Sequence, residues 1–552
     1  MTSHQLQSFH TDESDPLLEA GALQEKNSGT ARPGPWYYLQ SGVGFLLPSF
    51  VPWPRPRTSS QSTQIGPRRP GPTAYLDGLR GVAALFVFFS HSLRSPFPEL
   101  EHGYGSPETV NSVFQLPIVR VFIAGRGCVC VFFVISGYVL SIKTLSILHR
   151  RTGATGSSSR SPTTVSQALE ALSGSAFRRP VRLYLPVIAA LTIIFILFRL
   201  GLYKTSGGIY APYKDTVWEQ LGHWLEKLPQ LADPFRSSQN LVPKRISEFT
   251  PYLPVLWSIP FEFKGSILVY IFLLVFARCR SWVLPVVVAA VFLHLLRAGD
   301  FEMALFCAGL FLADMSLAFP PRNGSGANRK WLALRHLLTL AGFIFGLYAV
   351  GFPQRSAAKT PGFQTMFTLV PAAYQSTAMG VEFFWETIGA ITLVASLIFS
   401  PPFPRMPWQR NATTPRPAGG LALYDDSEDD TRTPLLQIPF NSRFAQYLGR
   451  ISYSLYLMHW PLVWTVGLQW FDPATKAWDE ANDAATALRE SGNMAEAATM
   501  VVRANLAYTI SVMAPILLRA GIVFWVSDVF RRVVDANSLR LASWVGARAR
   551  RS

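Results

Sequence analysis

The chain has 552 residues, 49% of them hydrophobic and only 15% charged, with a formal net charge of +16. Soluble domains carry roughly 25% charged residues, so the composition excludes an ordinary soluble enzyme. The basic excess lies in loops and tails, with no basic helix, zinc finger or stacking sheet, which excludes a nucleic-acid binder. What remains is an all-α integral membrane protein, with several apolar runs of about 20 residues each.

Cys128, Cys130, Cys279 and Cys307 fall in or beside apolar runs. They are too few for a disulfide framework and have no metal-ligand spacing, so small core residues and no metal site are expected. G-x-S-x-G, H-E-x-x-H and Walker A patterns are absent from the sequence.

Residues 1–73 are polar, then rich in Pro and Arg, and read as a disordered cytoplasmic tail rather than a secretory signal. Within it, Glu13 to Leu18 resembles an acidic dileucine sorting signal, and the aromatic 36–53 segment, broken by Pro48 and Pro52, suits the membrane interface.

Ten transmembrane helices follow, at about 75–94, 126–147, 182–202, 256–276, 282–297, 302–319, 332–352, 379–399, 446–469 and 504–528. Arginines and lysines concentrate at 150–179, 278–280, 322–330 and 531–551. All of these fall on one side if the N- and C-termini are cytoplasmic. The opposite side receives mixed-sign loops at 95–125, 203–255 and 472–503. The 400–445 insert, with its acidic run Asp425–Asp430, is expected to be a disordered cytoplasmic loop, and 531–552 a basic cytoplasmic tail. This topology leaves the sequons at Asn323 and Asn411 in the cytoplasm, unglycosylated.

Ionisable groups inside spans are costly and point to function. The first span carries Asp77, Arg80 and His91. Arg80 and His91 are eleven residues apart, three turns of helix, which places them on one face about 16 Å apart along the axis. The third span opens with Arg179 and Arg182, one turn apart on the same face, again at the cytoplasmic end. Snorkelling accounts for any one of these arginines. Three of them together with Asp77 suit a phosphate-binding mouth, because guanidinium forks match phosphate oxygens. The fourth span begins with Trp257, Ser258 and Pro260, and Glu262 lies one turn in. Its carboxylate is expected near the depth of His91, where it would orient the imidazole or stabilise its cation. In the ninth span Ser452, Tyr456 and His459 share a face, where bridging neighbouring helices is the simpler role. His294 stands alone in an apolar run and reads as structural.

Taken in order, YLDGLRGVAALFVFFSH, VFFVISGYVLS (131–141), Arg179-x-x-Arg182 with Tyr184 and Pro186, WSIPFE (257–262) and GRISYSLYLMHWP (449–461) resemble the acyltransferase-3 family. The resemblance runs over about 74–530, and Arg-x10-His is its most specific part. It implies a ten-span O-acyltransferase that moves acyl groups from acyl-CoA to carbohydrates or other hydroxylated acceptors. The family's important arginines and histidine would be Arg80, Arg179, Arg182 and His91. Members often have two acids in tandem after the Trp-Ser element, whereas Phe263 follows Glu262 here. No esterase-like domain follows the spans.

The expectation is therefore a membrane-bound O-acyltransferase, most simply an O-acetyltransferase, with acetyl-CoA as co-substrate and no permanently bound cofactor. Arg80, Arg179 and Arg182 would hold the CoA phosphates, and His91 would be the general base. Glu262 would assist it, and Ser258 or Tyr456 would serve as oxyanion donor; Asp77, Trp257 and His459 would support the site. An acyl-His91 relay is a variant of this scheme. A secondary transporter or a non-catalytic lipid or sterol carrier is the alternative, although no internal repeat between halves favours the former. The acceptor is a sugar, polysaccharide, sterol or secondary metabolite. The membrane is that of the secretory pathway, the plasma membrane or the vacuole.

Overall fold

The computed structural model describes residues 48–49, 71–107, 111–149, 162–203, 211–234, 250–319, 329–375, 380–402, 433–466 and 471–549. The tail signals, both sequons and the acidic run lie outside the described residues. Contacts divide the chain into Met1–Gln64, of which only 48–49 are described, and the helical body Ile65–Ser552.

The described residues are helical and form no strand. In chain order the principal helices are α1 (Ala74–Arg94), α2 (Gly125–His149), α3 (Pro162–Arg199), α4 (Val217–Leu231), α5 (Ile259–Val275), α6 (Val283–Ala298), α7 (Phe301–Ala318), α8 (Arg329–Val350), α9 (Gly380–Ile398), α10 (Arg443–Thr465), α11 (Phe471–Glu490), α12 (Met494–Phe530) and α13 (Ala536–Ala549). Each of the ten predicted stretches coincides with one of them. Eight segments are long and apolar enough to cross a membrane. The other two fall short for different reasons. Helix α6 is apolar but has only 16 residues, and α10 has length but carries Arg443, Arg450, His459 and three tyrosines.

Helix α2 is the hub. It is apolar around its circumference, the signature of a buried helix, and it packs against α1, α3, α5, α7 and α9. Between spans there is little hydrophobic driving force, so close packing and polar contacts hold helices together. Gly137 and Gly309 show this: a Cβ on Gly309 would lie 2.3 Å from the Val134 carbonyl oxygen. Helices α1 and α10 run parallel and equally close. Gln446 Nε2 donates to Ala74 O at 2.7 Å, and a Cβ on Gly81 would sit 2.2 Å from Gly449 N. Farther along the pair, Ala84 and Phe88 pack with Leu455 and Val463 against Ala520 and Val523 of α12.

Two boundaries differ from expectation. Helix α3 begins about 20 residues before the predicted span, because Val165 and Ala168 recur at helical spacing and bury against Leu148 and Ala277. Arg179 and Arg182 therefore lie in mid-helix, not at its start. The predicted 472–503 loop is a helical hairpin of α11 with the start of α12, tied by Trp478 Nε1 donating to Asn505 Oδ1 at 2.7 Å. Pro260 lies in the first turn of α5, where its missing N–H costs nothing.

The 3₁₀ turns Pro98–Glu101, Val113–Gln115 and Val119–Ile123 follow α1 at its His91 end. Arg120 fastens them, donating from Nε to Gly351 O at 2.9 Å and from Nη1 to Leu100 O at 3.0 Å and to His102 O. Burial lowers its pKa to about 10, so the guanidinium is still charged at neutral pH. Glu101 beside it bridges Arg94 and Arg355.

Candidate active site

The parallel register of α1 and α10 brings their two histidines together. The His91 ring stacks on His459 with centroids 5.4 Å apart and meets Trp460 edge-on at 4.7 Å. His91 lines a cavity of about 110 Å³ shared with Arg94, Arg126, Trp257, Tyr456 and Trp460. His459 is set behind it, 1% exposed. Its Nδ1 is 3.0 Å from Leu455 O, and a carbonyl only accepts, so Nδ1 carries the proton. The neutral ring then has its lone pair on Nε2, an atom that is buried without a hydrogen-bond partner among the described residues. Sequence reasoning assigned His459 a bridging role and a supporting place at the site; its ring stacks on His91 of the neighbouring helix.

Ser258 and Tyr456, the expected oxyanion donors, have their protons committed elsewhere. Tyr456 donates its single hydroxyl proton to Val255 O at 2.5 Å. Ser258 Oγ, 2.7 Å from the Tyr456 oxygen, must then be the donor in that contact. The chain runs Ser258 to Tyr456 to Val255 O and ends in the backbone. Trp257 lines the cavity and packs its ring on Phe261 and Phe383.

Glu262 is placed with Arg179. Its carboxylate accepts from Arg179 Nη2 and, at 2.6 Å, from Ser136 Oγ. Arg179 Nε also donates to Ser266 Oγ at 3.0 Å. This pair ties α3, α5 and α2 together and is largely withdrawn from solvent. The partner expected for His91 is thus engaged by a guanidinium that was itself expected among the phosphate ligands. The register of α3 explains this: Arg179 is embedded in a helix that begins 17 residues before it.

The remaining polar residues fall into a second group at the Arg80 end. Arg80 donates to Asp77 Oδ1 at 2.9 Å, a half-exposed pair worth about 0–1 kcal/mol. Arg182, Arg531 and Arg80 are the cations that act on Asp535, in the π-helical turn Arg531–Asp535 between α12 and α13. Arg531 and Asp535 went unnoticed in the sequence because they read as part of a basic tail.

Sequence reasoning also missed the charges around His91. Arg94 follows it by one turn, a legible spacing, and is held by Gln354 and Glu101. Arg126 lines the same cavity, with Glu382 Oε1 at 3.7 Å and the Phe383 ring at 5.3 Å. Glu386, one turn beyond Glu382, is fully buried. Two acids at i, i+4 inside an apolar run were the available signal.

A helical membrane protein with a stacked imidazole pair beside an aromatic cavity, and a cluster of guanidinium groups at the other end of the same helix, defines the class. The chain belongs to the acyltransferase-3 family: the family's acyltransferase-domain model matches residues 73–488. It is 29% identical over 458 residues to the O-acetyltransferase PaAT-1 of Phomopsis amygdali, covering 78% of each chain. It is 24% identical over 449 residues to an acyltransferase of Phoma sp., covering 73% of this chain and 85% of that one. The acyltransferase clz18 of Cochliobolus lunatus is 25% identical over 442 residues, with 72% and 83% covered. No solved structure matches. The protein is an acyltransferase of the membrane.

Proposed function

We propose that the protein is an O-acyltransferase that uses cytoplasmic acyl-CoA, most simply acetyl-CoA, to acylate a hydroxyl of a carbohydrate or other small-molecule acceptor. The reading includes ten spans, with α6 and α10 among them, and both termini in the cytoplasm. The loop arginines and lysines support that orientation. Arg80 and Arg182, joined by Arg531, hold the phosphates of CoA, with Asp77 and Asp535 occupying these cations when the nucleotide is absent. Arg179 lies one turn before Arg182 on α3, neutralised by Glu262, and holds α3 against α5. The pantetheine arm extends along the stripe of α1 over about 16 Å to the cavity at His91.

His91 takes the acceptor's hydroxyl proton as the oxygen attacks the thioester carbonyl. His459 and Trp460 fix the plane of its ring. The observation that carries the reading is the position of His91 on the wall of the cavity, on the helical stripe that begins with Arg80. A cavity of about 110 Å³ is smaller than the ~150 Å³ that admits benzene, which supports a short acyl group. The name of the Phomopsis relative, an O-acetyltransferase, agrees with it.

The test uses the purified protein with radiolabelled acetyl-CoA and a mixed extract of hydroxylated acceptors. Acceptor-dependent CoA release, lowered about 10²–10⁴-fold by His91→Ala, is the expected result. Release indifferent to both His91→Ala and Arg80→Ala would leave a carrier or transporter.

A further inference from the structure

A tetrahedral intermediate at His91 requires hydrogen-bond donors aimed at the oxygen where charge develops. Ser258 and Tyr456 have their protons committed, and Ser90 on the cavity wall offers one neutral hydroxyl. Arg94 is committed too, with Nη2 donating to Gln354 Oε1 at 2.7 Å and Nε paired with Glu101. Arg126 is different. It lines the cavity with His91, and its Nε and Nη2 are both buried with no hydrogen-bond partner among the described residues.

Buried donors left unmade are expensive, and the surroundings hold this one in place without satisfying it. Glu382 Oε1, at 3.7 Å, supplies charge but lies beyond hydrogen-bond reach. The Phe383 ring receives the guanidinium face at 5.3 Å, and that ring is itself stacked on Phe301 at 4.1 Å. Arg126 also occupies the first turn of α2, where a cation opposes the helix dipole. An anchoring arginine would reach for water, but the Arg126 side chain is 16% exposed.

We propose that Arg126 is a further catalytic residue, whose unengaged guanidinium N–H groups bind the oxyanion of the acyl-transfer intermediate. The assignment rests on the acyltransferase mechanism above. The acceptor O–H gives its proton to His91 and its oxygen bonds to the thioester carbonyl carbon. The carbonyl π pair moves onto oxygen, where Arg126 receives it. On collapse the C=O re-forms, the C–S bond breaks, and the CoA thiolate leaves with the proton held by His91. The N-terminal turn of α2, with Gly125 on the cavity wall, adds the positive end of its dipole to the field.

The experiment compares wild type, His91→Ala, Arg126→Gln and Arg126→Ala in detergent, with acetyl-CoA and acceptor each varied. Arg126→Gln and Arg126→Ala are expected to lower kcat about 10²–10³-fold, with KM for acetyl-CoA changed little. Millimolar guanidinium ion is expected to restore part of the kcat of Arg126→Ala, a rescue that a packing role would not show. If the Ala and Gln variants do not fold, Arg126→Lys keeps charge and length but loses the fork, and an intermediate kcat is expected. Unchanged kcat in the folded variants overturns the assignment. So does a loss confined to KM for the acceptor, which would make Arg126 an acceptor ligand. Activity indifferent to His91→Ala defeats the acyl-transfer reading itself, whereas loss at His91 without loss at Arg126 defeats only the oxyanion assignment.

Discussion

Arg179 and Glu262 meet across two helices that the sequence starts from opposite membrane faces. The guanidinium reaches the carboxylate and Ser266 together, while Ser136 of α2 donates to the same carboxylate oxygen. Three helices thus share one polar contact, and between apolar helices such bridging hydrogen bonds add to the packing.

Removing one member leaves the other charge buried and uncompensated, at a cost of about 3–5 kcal/mol for a well-buried pair. Arg179→Ala and Glu262→Ala should each lower the unfolding midpoint of the detergent-solubilised protein sharply. The double variant should lose less than the two losses summed, with a coupling of about 1–3 kcal/mol. Additive losses would show that the two side chains do not act as a pair.

That contact also marks where the sequence stops being legible. Hydropathy placed a helix at each of the ten predicted stretches, eight of them long and apolar enough to cross a membrane. The spacing of Arg80 and His91 set both on one helix, because hydropathy and spacing alike depend on local period. The pairing of Arg179 with Glu262 depends on how far α3 extends toward its N-terminus, which the polar face of 162–178 hid. The stacking of His91 on His459 required the parallel register of α1 and α10, fixed by the backbone approach of Gly81 and Gly449. No side-chain pattern encodes that register. Arg126 was overlooked for a simpler reason: one cation at the edge of an apolar run looks like an anchor until its burial is known.

The Ser258–Tyr456–Val255 chain predicts a stability phenotype rather than a chemical one. Tyr456→Phe removes the hydroxyl that links the other two and leaves the buried Val255 carbonyl unbonded, at about 1–3 kcal/mol. The unfolding midpoint should fall while kcat stays within a few-fold of wild type. A kcat loss of about 10²-fold or more at unchanged stability would restore Tyr456 as an oxyanion donor.

Helices α1 and α10 should tolerate no side chain at their crossing. A Cβ on Gly449 would lie 2.5 Å from the Asp77 carbonyl oxygen, a backbone atom that cannot step aside. Gly449→Ala should therefore separate the helices, cost about 1–3 kcal/mol, and disturb the His91–His459 stack ten residues along. Loss of monodispersity in detergent together with reduced turnover is the expected result. A fully active, wild-type-stable Gly449→Ala protein would contradict the packing.

If His91 is the base, only its neutral form works. Turnover at saturating substrate should then fall as pH drops through the titration of the ring, tenfold per pH unit at the acid limit. His459→Gln removes the stacked imidazole but keeps the cavity, so the acid limb should persist while its position moves. A limb that vanishes in His459→Gln but survives in His91→Ala would exchange the roles of the two rings.

At the opposite end of the stripe, Arg182 and Arg531 share Asp535 with Arg80. Half-exposed cations bind phosphate through charge that salt screens over a Debye length of about 8 Å at physiological ionic strength. Arg182→Ala and Arg531→Ala should raise KM for acetyl-CoA, by more at low salt than at high, with kcat nearly unchanged, because uniform binding is lost before the chemistry begins. Removing Asp535 should act in the opposite sense. Asp535→Asn removes one carboxylate that competes for all three guanidinium groups, so KM for acetyl-CoA should fall below the wild-type value. Dephospho-CoA thioesters, which carry less charge, should respond less to each of these changes. If Arg182→Ala and Asp535→Asn shift KM in the same direction, the cluster holds helices together and the nucleotide binds elsewhere.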